Sequence, residues 1–162
     1  MKGKKRKVGI IVASQKEKEK IIGGLKILEE CKIGYRVAVA SAHRSPGYVE
    51  EIVEQWADVG VWIAVAGKAA HLAGSLAARS PLPVIGVPMG DSTLIGLDAL
   101  LSTVQMPRGV PVATVGVGEF ENACYLAVRI LSLAEPELER CTRKWMQEWE
   151  REYRGVPIIE VE

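Results

Sequence analysis

At 162 residues, with 48% hydrophobic and 25% charged side chains, the chain has the length and composition of one globular domain that buries a core without staples. Lys and Arg (21) against Asp and Glu (20) leave a net charge of +1, which excludes a global basic field for nucleic acid or an anionic membrane, so any anion site is local. Three widely spaced cysteines, Cys31, Cys124 and Cys141, form no Cys-x-x-Cys pair and argue against a disulfide framework or a structural zinc site.

The basic stretch Lys2, Lys4, Lys5, Arg6, Lys7 reads as a solvated tail leading into a first strand over 7–12. The three unpaired cysteines make a reducing cytoplasm the expected setting; no apolar stretch reaches spanning length, and 8–13 is too short for a signal peptide. A helix over 17–30 follows, with Ile21, Ile22, Leu25 and Leu28 at helical spacing. A strand over 35–39 leads to a helix over 48–58 carrying Ile52, Val53 and Trp56, and a strand over 61–66 leads to a small-residue helix over 69–78. Further strands fall at 83–87 and 110–115, and a helix runs from Glu119 through Leu133. Pro136 then starts a separate helix over 137–153, where Leu138, Cys141, Trp145, Trp149 and Tyr153 stand three or four apart.

Alternating strands and helices predict an α/β fold with a five-stranded, parallel, doubly wound sheet and helices on both faces. Residues 1–162 are one domain, a core over 7–133 plus a C-terminal helix whose two tryptophans call for cover, by the chain's own sheet or, at least as readily, by a neighbouring subunit. Such sheets bind ligands beyond the carboxyl ends of their strands. Four loops therefore hold the candidate chemistry: 14–17, 41–46, 67–74 and 88–92.

The chain has two histidines, and both lie in these loops. Histidine is the one side chain that ordinarily titrates near neutral pH, so proton chemistry is expected at His43 and His71. Ser41-Ala42-His43-Arg44-Ser45-Pro46 leaves a strand and enters a helix with Pro46 in its first turn, bringing hydroxyls, a guanidinium and helix-start amides to one place suited to a phosphate. Taken alone, the same string also fits a helix cap, a surface arginine and a satisfied loop histidine. The small residues of Gly67-Lys68-Ala69-Ala70-His71-Leu72 let backbone approach ligand closely, or equally let a helix pack tightly on the sheet.

Familiar alternatives fail on residue grounds. A phosphoreceiver needs an acidic pair after the first strand, where this chain has Ala13-Ser14. Gly116-Val117-Gly118 begins like a dinucleotide fingerprint but follows the fifth strand and puts Glu121 at the last glycine position. There is no Walker lysine loop, and two histidines without converging cysteines argue against a metal site.

Five collinear motifs, Ser41-Ala42-His43-Arg44-Ser45-Pro46, Ala66-Gly67-x-Ala69-Ala70-His71-Leu72, 83–88, 96–102 and 104–115, resemble the N5-carboxyaminoimidazole ribonucleotide mutase family of de novo purine biosynthesis, of class I PurE type. The resemblance spans roughly 8–133. It implies a flavodoxin-like three-layer αβα sandwich, a cytoplasmic homo-octamer, a small ribonucleotide substrate, and no metal or organic cofactor. It further implies a carboxylate moved from an exocyclic nitrogen to ring carbon 4 by way of confined carbon dioxide. His43 matches the family's acid and base. Ser14, Ser41 and Arg44 match phosphate positions, and Glu17 stands where an aspartate engages the ribose. The resemblance also makes Gly67, Ala69 and Ala70 the carboxylate wall, which His71 helps to order, and Leu72 a further substrate-binding position.

The first loop departs from the family's Gly-Ser-x-Ser-Asp. Here it reads Ala13-Ser14-Gln15-Lys16-Glu17, which makes Lys16 a candidate phosphate contact in place of serine. Lys68 is also a departure, because related carboxylases that use carbon dioxide directly carry a basic residue after the corresponding Ala-Gly. Two other readings accompany the mutase: an aminoimidazole ribonucleotide carboxylase, and a noncatalytic nucleotide-binding homolog.

Overall fold

The computed structural model describes residues 6–156, so Lys2, Lys4 and Lys5 of the basic stretch lie outside the described residues. Strands β1 (Lys7–Val12), β2 (Tyr35–Val39), β3 (Val59–Gly67), β4 (Val84–Met89) and β5 (Ala113–Thr114) form one parallel sheet in the order β2-β1-β3-β4-β5. The chain winds outward on both sides of β1, which opens a crevice over the carboxyl ends of β1, β2 and β3.

Register explains the apolar runs. Ile10 sits opposite Val37 on one side and Ile63 on the other, and Ile63 sits opposite Ile85, so β-branched residues cross the sheet in rows. Val8, Ile10, Val12, Ile63, Val65 and Val87 pack beneath α1 (Ile22–Glu30) and α5 (Phe120–Ser132). Ile11, Trp62, Ala64 and Ala66 face α2 (Pro46–Gln55) and α3 (Leu72–Ala77) on the opposite side. Successive side chains alternate between faces, and because both faces are covered the strands read as continuous apolar runs. Phe120 is 2% exposed, and a burial of that kind is worth roughly 1.5–3 kcal/mol.

Several elements differ from their predicted extents, among them the helix expected over 48–58, which runs over Pro46–Gln55, and the strand expected over 61–66, which runs over Val59–Gly67. Regular α-helix starts only at Ile22, because residues 15–17 and 19–21 wind as two 3-10 turns and no side chain caps either turn. The strand predicted over 110–115 shrinks to two residues at the sheet edge, where Pro111 has no N–H for the ladder. The helix predicted from 69 starts at Leu72, because Lys68 has φ +58° and turns the chain before it. A further helix, α4 (Leu97–Val104), buries Ala99 and Thr103 while Leu97, Leu101 and Val104 remain exposed.

The C-terminal helix α6 (Glu139–Arg154) follows a 3-10 turn over Pro136–Leu138. Leu138 and Trp145 are buried against the chain's own core, and Trp145 packs edge-on to Tyr125 at 4.8 Å. Trp149 also meets Tyr125 at 5.3 Å but stays 38% exposed, and Tyr153 is 76% exposed. No helix among the described residues is long and apolar enough to cross a membrane.

Candidate active site

Each loop that follows β1, β2 or β3 brings side chains to one cleft of about 570 Å³. Ser14, Lys16, Glu17, Ser41, His43, Arg44, Gly67, Ala69, His71 and Leu72 all line it, whereas Ala70 is buried behind it at 2% exposure. All the residues expected at the site except Ala70 thus gather at one cleft over the end of β1.

Hydrogen bonds fix the β2–α2 loop before any ligand arrives. Ser45 N–H donates to Ser41 O at 2.9 Å, and Ser41 N–H donates to Ser45 Oγ at 3.0 Å. Arg44 N–H donates to Ser41 Oγ at 3.3 Å, and its guanidinium donates to Ala13 O at 3.1 Å, tying this loop to the end of β1. The side chains His43 and Arg44 thereby stay exposed at the mouth.

On the first loop, Ser14 Oγ donates to the carboxylate of Glu17, which is 8% exposed. Glu17 thus turns inward onto the serine, a placement that the longer acid permits and the sequence did not indicate. Lys16 stays exposed on the lining and makes no ion pair among the described residues.

The closest approach in the cleft joins the two histidines. His43 Nε2 lies 2.7 Å from His71 Nδ1, with the rings edge to face and their centroids 4.8 Å apart. One proton occupies that contact, so each ring's tautomer is set by the other. Beyond the pair lies a second cavity of about 540 Å³, and Ala42, His43 and His71 line both cavities. Gly74, Ser75, Ser102, Gln105 and Met106 line this second cavity. The pair therefore stands in a shared wall, where a proton can be exchanged with a group on either side.

The β4–α4 loop adds one residue that was not singled out. Asp91 lines the cleft and pairs with Lys20. Its loop was marked by following a strand, yet nothing in its immediate sequence distinguishes that carboxylate. Nearby, the Ser92 hydroxyl donates to Asp98 Oδ1 at 2.7 Å and holds the Asp98 carboxyl below its ordinary range; burial opposes this, and backbone amides and the charge of Lys68 reinforce it. Among the described residues no three His, Cys, Asp or Glu side chains converge as a metal cage.

The AIR carboxylase family profile matches residues 7–152, the whole sheet and most of α6. The chain belongs to the AIR carboxylase family. Among its AIR carboxylase relatives, a Pyrococcus horikoshii protein named N5-carboxyaminoimidazole ribonucleotide mutase is 42% identical over 153 residues, covering 93% of this chain and 86% of that one. A Schizosaccharomyces pombe phosphoribosylaminoimidazole carboxylase is 48% identical over 141 residues, covering 86% of this chain but 26% of its own length. The crystal structure of Treponema denticola PurE2 carrying a serine-to-aspartate substitution superposes with a TM-score of 0.84 at 22% identity, covering 93% of this chain and 94% of that one. That likeness confirms the flavodoxin-like α/β fold.

Proposed function

We propose that this protein is an N5-carboxyaminoimidazole ribonucleotide mutase acting in purine biosynthesis, with His43 as its acid and base. The observation that carries the reading is the His43–His71 contact in a wall between two cavities, bordered by exposed cations and small residues. The mutase name carried by relatives over most of their length supports the same substrate class.

The chemistry needs one proton that leaves and returns. Protonated His43 gives its proton to the carbamate nitrogen, the nitrogen–carbon bond breaks, and carbon dioxide and the aminoimidazole remain in the pocket. Carbon 4 then attacks carbon dioxide, a carbon–carbon bond forms, and the proton displaced from carbon 4 returns to His43. No net proton is consumed, which suits a single imidazole held in register by His71. Acid and base transfer of this kind contributes about 10²–10⁴-fold, and confinement of carbon dioxide beside the ring supplies orientation.

Ser14, Ser41, Arg44 and Lys16 hold the phosphate in this reading, and Gly67, Ala69 and Leu72 wall the migrating carboxylate, with Ala70 packed behind them. In this reading the Glu17 carboxylate, held by the Ser14 hydroxyl on one oxygen, has its other oxygen to accept from the ribose. The working protein is a cytoplasmic homo-octamer in this proposal. The exposed apolar side chains Leu94, Ile95, Leu97, Leu101 and Val104 support self-association.

Purified protein given the N5-carboxylated nucleotide should form the 4-carboxylated product, read by its ultraviolet absorbance. Product only from aminoimidazole ribonucleotide plus bicarbonate would overturn the mutase reading in favour of a direct carboxylase. Binding without turnover of either would leave a noncatalytic homolog.

A further inference from the structure

Lys68 combines three properties that no packing role requires. Its backbone sits at φ +58°, in the left-handed region where a side chain is strained and glycine is not. Its side chain lines the cleft and is exposed. Among the described residues it makes no ion pair within 4 Å, and its charge acts on Asp98, whose carboxylate already accepts from the Ser92 hydroxyl.

Strain of this kind persists where the surrounding structure enforces it, and it concentrates at functional sites. The turn at Lys68 is enforced from both sides. β3 delivers Gly67 in register with Met89, and the Ala70 N–H donates to Lys68 O at 2.9 Å while the His71 N–H donates to Ala69 O at 2.8 Å. The turn hands the chain to His71 at the start of α3. The ammonium thus rises from the loop that carries His71, one member of the proton-exchanging pair. Lys16 and Arg44 rise from the loops after β1 and β2. In the mutase reading Lys68 therefore belongs to the loop that walls the carboxylate, and Lys16 and Arg44 to the loops that hold the phosphate.

We infer that Lys68 is a specificity-determining residue that pairs with the migrating carboxylate of the nucleotide, while Lys16 and Arg44 serve its phosphate. This rests on the mutase reading above and extends it to a residue in a conformation glycine would occupy without strain. A cation at that place attracts the carboxylate on nitrogen and on carbon alike. Lys68 therefore strengthens binding of both carboxylated nucleotides without lowering the barrier between them.

The test compares wild type with Lys68→Met, Lys68→Gly and Lys16→Met by calorimetric titration with aminoimidazole ribonucleotide and with its 4-carboxylated counterpart. Both Lys68 variants should weaken the carboxylated nucleotide about tenfold and leave the uncarboxylated one unchanged. In turnover, KM should rise with kcat unchanged or higher. Lys16→Met should weaken both nucleotides equally. Lys68→Gly should also raise the Tm by about 2–4 °C, since it relieves the left-handed strain. Equal effects of Lys68→Met on both nucleotides, or none on either, would overturn the inference while leaving the mutase reading intact. Wild-type protein that binds neither nucleotide would sink both.

Discussion

At the scale of single residues, the site turns on two rings that share one hydrogen bond. His43→Asn should lower kcat by about 10²–10⁴-fold while nucleotide affinity stays near wild type, because the imidazole moves a proton and does not anchor the phosphate. Stopped turnover with intact calorimetric binding is the expected pattern, and near-normal turnover would remove His43 from the chemistry. His71→Phe keeps an aromatic ring in the wall but cannot bond His43 Nε2, so it should lower kcat by at least about tenfold with a smaller change in KM. Both histidines were legible as candidates because loops after parallel strands are where such folds place ligands. Their mutual contact was not. Twenty-eight positions separate them, and only the placement of β1 between β2 and β3 brings them within 2.7 Å. The inward turn of Glu17 onto Ser14 was hidden for a similar reason, since a glutamate beside two lysines reads as solvated.

At the scale of elements, close packing sets what the helices tolerate. A Cβ on Gly24 would lie 2.4 Å from Phe120 Cδ1 and 2.8 Å from Cys124 Sγ, so α1 approaches α5 only because that position has no side chain. Gly24→Ala should cost about 1–3 kcal/mol, read as a lowered denaturant midpoint with an unchanged slope. At the opposite end of the sheet from the site, Lys7 and Arg36 pair with Asp58 at 2.9 and 3.2 Å. The Lys7 hydrogen bond, above all, holds the Asp58 carboxyl below its ordinary range against the opposing effect of burial, and Arg36 adds to it. A lowered carboxylate stabilises the fold above the ordinary value, and that stabilisation is lost as pH falls through the lowered one. The Tm gap between wild type and Asp58→Asn should therefore be full near neutrality and close below about pH 4. A gap that stays constant down to pH 2 would contradict this.

Strand positions were legible because β-branched runs buried on both faces look alike in any order, and their alternation with helices left one economical winding. Residues 97–104 show where that reasoning stops. Their apolar side chains point outward and the buried side carries Ala99 and Thr103, whose hydroxyl satisfies itself on Ala99 O at 2.7 Å. Hydrophobic spacing signals a helix when its apolar side faces the core, and here it does not.

At the scale of the whole molecule, the outward apolar side chains of α4 and the half-covered aromatic stripe of α6 bear on assembly. Removing everything after Leu133 would strip Leu138 and Trp145 from the chain's own core, so truncation confounds folding with assembly. Trp149→Ala combined with Tyr153→Ala spares the buried residues. Light scattering of that variant should give a smaller particle than wild type with little change in Tm, and an unchanged particle would exclude α6 from the contact.

The mutase reading is tested most directly by following one carbon atom. The N5-carboxylated nucleotide, labelled with carbon-13 in its carboxylate, is turned over in excess unlabelled bicarbonate, and the 4-carboxylated product is examined by mass spectrometry. Transfer through confined carbon dioxide predicts a product that retains the label. A product carrying the unlabelled carbon of the medium would mean that carbon dioxide enters from solution and that the enclosed transfer beside His43 does not occur.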